Sequence, residues 1–150
     1  MSRIKFEIVE LADLVKQARL ILAVEYLKPF SDDVMVQRIG SDVPVPPFRK
    51  TGSVLRVKAT LKNSDSIDLP ETIHVPVEGW RRALSQHKER HAGGPSKSYT
   101  VKQYKTDLAS MNDAGIVFLR HFQGSFELEA MGAFTSITAL DQIKLLIKAT

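Results

Sequence analysis

The chain has 150 residues, 43% of them hydrophobic and 25% charged, with no cysteine and a net charge of +4. That length supports one core without staples, and the missing cysteines exclude disulfides, thiol catalysis and thiolate-bound metals together. No apolar run nears the length of a membrane-crossing helix, and the longest, Leu20–Val24, is strand-sized.

The start of the chain, Met1 to Glu7, carries Arg3 and Lys5 but no apolar stretch of signal-peptide length, and Glu7 and Glu10 interrupt it. The expected location is therefore the cytoplasm, unless a signal has been removed. Leu11, Leu14, Val15 and Ala18 recur at helical spacing and predict a short N-terminal helix, with Glu10 and Asp13 near its start and Lys16 near its end as the helix dipole prefers. Arg19 to Leu27 reads as a strand too apolar on both faces for an edge, with one longer helix through Tyr26 as the competing reading. Pro29 to Arg49, with four prolines, reads as a long loop around a short piece at Val34–Val36.

Ser53 to Leu61 alternates as a half-buried strand, Asn63–Ser66 is turn chemistry, and Glu71 to Val77 is a short strand that Pro76 marks as an edge or a terminus. Glu78 to His91 predicts a polar helix with Trp80, Ala83, Leu84 and His87 on one face, ended by a flexible Ala92–Ser98 loop. Tyr99 to Tyr104 is a weak strand. Gly115–Phe122 and Ser125–Met131 flank Gln123-Gly124, a two-residue hairpin signal. A last helix is expected near Thr138, with Thr138-x-x-Asp141 as a capping box and Leu140, Ile143, Leu146 and Ile147 as its stripe. Strands that follow one another without regular crossover helices predict one α+β domain, residues 1–150, built on an antiparallel sheet or small barrel.

Charge is spread unevenly. From Arg81 to Lys105 there are seven Lys/Arg and one acid, Glu89, a net +6 that leaves −2 for the rest. Trp80, Tyr99 and Tyr104 are interleaved with these cations. The candidate binding patch is Trp80, Arg81, Arg82, Lys88, Arg90, Lys97, Tyr99, Lys102, Tyr104 and Lys105. The competing bland reading buries Trp80 beneath a merely solvated helix.

Leu14–Tyr26, then Leu55–Lys62, a strand near Ile73–Val75 and Gly115–Leu119 together resemble a loosely defined group of bacterial domains similar to the OB-type barrel of netrin-like and metalloproteinase-inhibitor modules. The resemblance implies an OB-like barrel and a binding role. It carries no inhibitory mechanism, because those inhibitors act through an N-terminal Cys that this chain lacks, and Arg19 stands where the group usually has Asp.

Catalytic motifs fail one by one. His87 and His91 share a helix face at a spacing that suits Zn²⁺, but Glu89 is not adjacent to either as a zincin or its inverse requires. Gly93–Ser98 lacks the Gly before Lys97 and the following helix that a phosphate loop needs. No Gly-x-Ser-x-Gly elbow occurs, Asp32-Asp33 reads as a solvated turn, and Glu127 and Glu129 are expected on an outer strand face. The expectation is a non-enzymatic binding module with no catalytic residue, metal or cofactor. Its expected partner is a protein, an acidic one by charge. The alternatives are single-stranded nucleic acid and, more remotely, a metal-dependent hydrolase using His87 and His91.

Overall fold

A computed structural model describes residues 3–36, 44–93, 98–104 and 114–150. In chain order the elements are β1 (Arg3–Ile8), α1 (Leu11–Gln17), β2 (Leu20–Val34), β3 (Phe48–Asn63), β4 (Thr72–Pro76), α2 (Trp80–His91), β5 (Ser98–Gln103), β6 (Ala114–Phe122), β7 (Ser125–Leu128), β8 (Phe134–Ser136), a 3-10 turn (Ile137–Ala139) and α3 (Leu140–Ala149). The protein is α+β. An antiparallel sheet follows the path β4-β3-β2-β6-β7, β8 also pairs with β6, and β1 and β5 form a separate parallel ribbon.

The central strand explains the layering. In β2, Leu20, Leu22 and Val24 face one side with Leu55, Ile73, Val75, Val117 and Leu119. Ile21 faces the other with Ile116 and Phe118, Leu14 and Val15 of α1, Ala18 just after it, and Ile143 of α3. Successive strand residues point to opposite faces, so a run apolar at every position needs cover on both. The helical stripes read from the sequence supply one cover; Leu11, Leu140, Leu146 and Ile147 pack around it. The sheet itself supplies the other by curling. Residues of β4 and β6, three strands apart on the path, share one cluster, and β4 and β7 at its two ends approach each other. No ladder joins those ends among the described residues, so the sheet is curled and unclosed. Register shifts in β2 at Ile21/Leu22, Ala23/Val24 and Tyr26/Lys28 bend it.

Local chemistry fixes the element ends. Asp13 accepts the Glu10 backbone N–H at 2.9 Å at the start of α1. At its end Lys62 donates to the Val15 carbonyl at 2.7 Å, and desolvation, then the charge of Arg19, holds that ammonium below its ordinary pKa. Gln123 and Gly124 have φ of 51° and 77°, the pair of positive values that a type I′ hairpin turn requires.

The structure corrects three expectations. Pro29–Arg49 is not one long loop: β2 continues through Pro29 to Val34 and pairs with β3 down to Phe48, while residues 37–43 lie outside the described segments. Hydrogen bonds Val57–Glu71 and Val77–Thr51 turn the odd residues of β3 toward β4, which makes Pro29–Ser53 a non-hydrogen-bonded pair. The ladder to β6 ends at Glu25, so the missing N–H of Pro29 forfeits no bond. The cap ahead of α3 is Ser136, whose hydroxyl accepts the Thr138 N–H at 3.2 Å, rather than Thr138 itself. Glu127 is buried, at 5% exposure, instead of lying on an outer face.

Gly52 is a packing requirement. A Cβ there would stand 2.3 Å from the Val75 carbonyl and 2.5 Å from both the Pro76 Cα and the Phe30 ring, two of the three being backbone atoms that cannot swing away. Gly52→Ala is expected to cost about 1–3 kcal/mol, as overpacking typically does, measured as a lower urea midpoint with an unchanged slope.

Candidate functional site

The basic segment divides between two places. Trp80, Arg81, Arg82, Lys88 and Arg90 belong to α2, whereas Tyr99 and Lys102 belong to β5 and Tyr104 follows it; Lys97 and Lys105 lie outside the described residues. Arg81 reaches Glu127 of β7 with Nε at 2.9 Å and a terminal nitrogen at 2.7 Å, and Arg120 stands 3.6 Å from the same carboxylate. Lys102 lies 3.6 Å from Glu129 and donates to Gln17 at 3.0 Å. One cation of each group is thus engaged within the fold: Arg81 pairs with Glu127 and Lys102 with Glu129. Tyr104 is tied by its backbone N–H to the Met131 carbonyl at 2.9 Å, and burial, then the charge of Glu10, pushes its phenol above the usual pKa.

The two carboxylates respond oppositely. Burial pushes Glu127 up, but the hydrogen bonds and charge of Arg81, the charge of Arg120 and the Ser125 hydroxyl outweigh it, leaving Glu127 below the ordinary value. At Glu129 burial wins over Lys102, Arg120 and Lys62, and the carboxyl stands above it.

α2 has no buried residue. It is held at its first turn and at one histidine. Trp80 is half-buried with the Lys50 ammonium 4.0 Å and the Arg81 guanidinium 4.5 Å from its ring centroid, and Arg81 also lies 5.0 Å from Phe122. His87 donates from Nε2 to the Pro46 carbonyl at 2.6 Å and meets the Phe48 ring at 5.7 Å. Its ring is 4.6 Å from that of His91. His74 stacks on Phe30 and His121 on Phe126, and among the described residues no group of three His, Cys, Asp or Glu is placed to hold a metal. Lys88 and Arg90 are exposed and enter no ion pair among the described residues.

A feature absent from the sequence reading adjoins the helix. Where β4 and β7 fail to pair, an apolar cavity of about 370 Å³ opens between Leu55, Val75, Val77, Val117, Leu128 and Phe134. Glu78 stands at its rim, bound to Arg82 one helical turn on at 3.5 Å. Gly79 between them has φ 83°, and a Cβ there would lie 2.3 Å from an Arg82 guanidinium nitrogen, so glycine permits both the turn into α2 and the guanidinium folded over it. The volume falls in the range of small-ligand sites, roughly 300–1,000 Å³. The only sequence signals for this site were Pro76 and the Glu78-Gly79 break between strand and helix.

No protein-family model matches this chain, and comparison with the curated proteins finds no match. The reading of the site therefore rests on its own geometry.

The pH dependence follows from the two shifts. Glu127, depressed in the fold, contributes stability above the unfolded carboxylate pKa that is lost as pH falls through its folded value; Glu129, raised, contributes below the unfolded pKa and loses this as pH rises through its folded value. Glu127→Gln should therefore destabilise most at neutral pH, by about 1.5–3 kcal/mol for lost charged hydrogen bonds, the gap to the parent narrowing in acid. Glu129→Gln should move the other way, gaining on the parent as pH rises. Urea unfolding across the acid-to-neutral range checks both.

Proposed function

We propose that this chain is a non-enzymatic binding module that takes an apolar group into the cavity between β4 and β7 and meets an acidic protein partner along α2. The cavity carries this reading: a core that could close on itself instead stays open beside a helix with no buried residue. Exposed apolar linings in concave sites with a few polar groups at the rim are the ordinary form of a binding pocket, and here Glu78 and Arg82 supply those groups. Among the described cations of the patch, Lys88 and Arg90 are left to face a partner, because Arg81, Arg82 and Lys102 are already engaged with Glu127, Glu78 and Glu129.

An OB-like architecture belongs to the same proposal. The path β4-β3-β2-β6-β7 with a helix between β4 and β6 supports it, since OB folds are five-stranded, partly open Greek-key barrels used for binding. Stacking of nucleic-acid bases draws less support from the site, because Lys50 and Arg81 already stand over the Trp80 ring.

Titration with the neutral apolar fluorophore N-phenyl-1-naphthylamine tests the cavity. Saturable one-site binding is expected, weakened at least tenfold by Ser53→Phe, which fills the cavity from its partly exposed wall, at a matched unfolding midpoint. Lys88→Ala/Arg90→Ala should leave fluorophore binding intact and lower the affinity for an oligoglutamate peptide. Equal fluorophore binding by Ser53→Phe, or none by the parent chain, overturns the cavity reading.

A further inference from the structure

The β1–β5 ribbon is anomalous for a finished surface. A two-stranded sheet is marginal alone, and parallel sheets are usually covered on both faces. Yet every residue of β1 from Ile4 to Ile8 is exposed, with Ile4 at 42%, Phe6 at 52% and Ile8 at 66% forming one apolar row. On β5 the register partner of Phe6 is Val101, and it is buried. The apolar face is thus covered at β5 and bare at β1.

Backbone geometry defines the free edge. The Val9 N–H donates to the Gln103 carbonyl at 2.9 Å. In a parallel ladder the residues that bond to a given neighbour alternate, so Lys5 and Glu7 direct their amides and carbonyls toward β5. Ile4, Phe6 and Ile8 direct theirs outward, where no described strand pairs with them. An added antiparallel strand must bond to these even-numbered residues.

The strand's own sequence meets that condition in one register. If two copies of β1 pair about Phe6, Phe6 faces Phe6, Ile4 faces Ile8, and Lys5 faces Glu7 on both sides of the dyad. The outward groups of Ile4, Phe6 and Ile8 then all find partners. The Lys5–Glu7 pairs fall at non-hydrogen-bonded positions, where opposed Cβ atoms come within about 4.5–5.5 Å and opposite charges stabilise. Sliding the centre to Lys5 sets Lys5 against Lys5, and sliding it to Glu7 sets Glu7 against Glu7, like charges that destabilise. We infer that the partner of this edge is a second copy of the chain, paired antiparallel through β1 in the Phe6-centred register, so that two ribbons join into one four-stranded sheet with a continuous Ile–Phe–Ile row.

This inference is independent of the cavity. Sedimentation velocity over a concentration series is expected to show a reversible dimer. Glu7→Lys and Lys5→Glu each place like charges across the dyad, and each should sediment as a monomer with the parent's circular dichroism. Mixed, the two variants face one another with both charge pairs complementary, so the equimolar mixture should dimerise again. The double variant Lys5→Glu/Glu7→Lys should dimerise alone. A monomeric parent chain overturns the inference, as does a dimer or higher oligomer that both single variants retain, or a mixture that stays monomeric. The single variants should bind the fluorophore as the parent does, which separates failure here from failure of the proposed function.

Discussion

Strand β2 sets the terms for everything around it. Leu20, Ile21, Leu22 and Val24 are all essentially inaccessible to solvent, so the strand needs an apolar partner on each face. Each such side chain gains about 1.5–3 kcal/mol from full burial, which rewards any arrangement that covers both. The helices α1 and α3 cover one face because their stripes are long enough to do so. No described helix covers the other, and the sheet must roll up to bury it. That roll brings β4 toward β7 and leaves the cavity where the two ends stop short of pairing.

Electrostatics follows from the same roll. Rolling the sheet leaves Glu127 buried and Glu129 half-buried, and buried carboxylates are tolerated only when paired. Arg81, Arg120 and Lys102 meet that demand. Three cations of the Arg81–Lys105 segment, Arg81, Arg82 and Lys102, are thereby engaged with Glu127, Glu78 and Glu129, and the outward-facing positive charge is smaller than the sequence tally suggests. Charge neutralisation at Arg81 would confuse loss of a partner with loss of the fold, whereas Lys88 and Arg90 lack that second role.

Those parts of the fold that rest on local periodicity were legible in the sequence. The stripes of α1 and α3, the doubly apolar run of β2 and the Gln123-Gly124 turn each carry their signal within a few residues. The parts that depend on distant partners were not. The alternation Ile4-Lys5-Phe6-Glu7-Ile8 is a strand pattern, but its partner lies at Ser98–Gln103, and nothing local marks six residues as paired. The second half of β2 was hidden by Pro29, a residue that opposes strand assignment unless its N–H is known to face away from the ladder. Of the candidate site, the residues of α2 were legible from charge and aromatic content. Lys50, Phe122 and Glu127 were not, since each reaches the helix across the fold, and the cavity results from a ladder that does not form.

The parallel pairing of β1 with β5 has a consequence for the order in which the molecule comes together. Antiparallel neighbours such as β6 and β7 meet across a two-residue turn, but Arg3 must find Ser98 across almost the whole intervening chain. The entropy of closing so large a loop favours contacts already made on either side of it, so the ribbon zips up after the rolled sheet has brought its strands together. During synthesis β1 precedes its partner β5 and is therefore among the last strands to settle. The outward edge of β1 is accordingly a late feature, presented only by chains that have completed the rest of the fold.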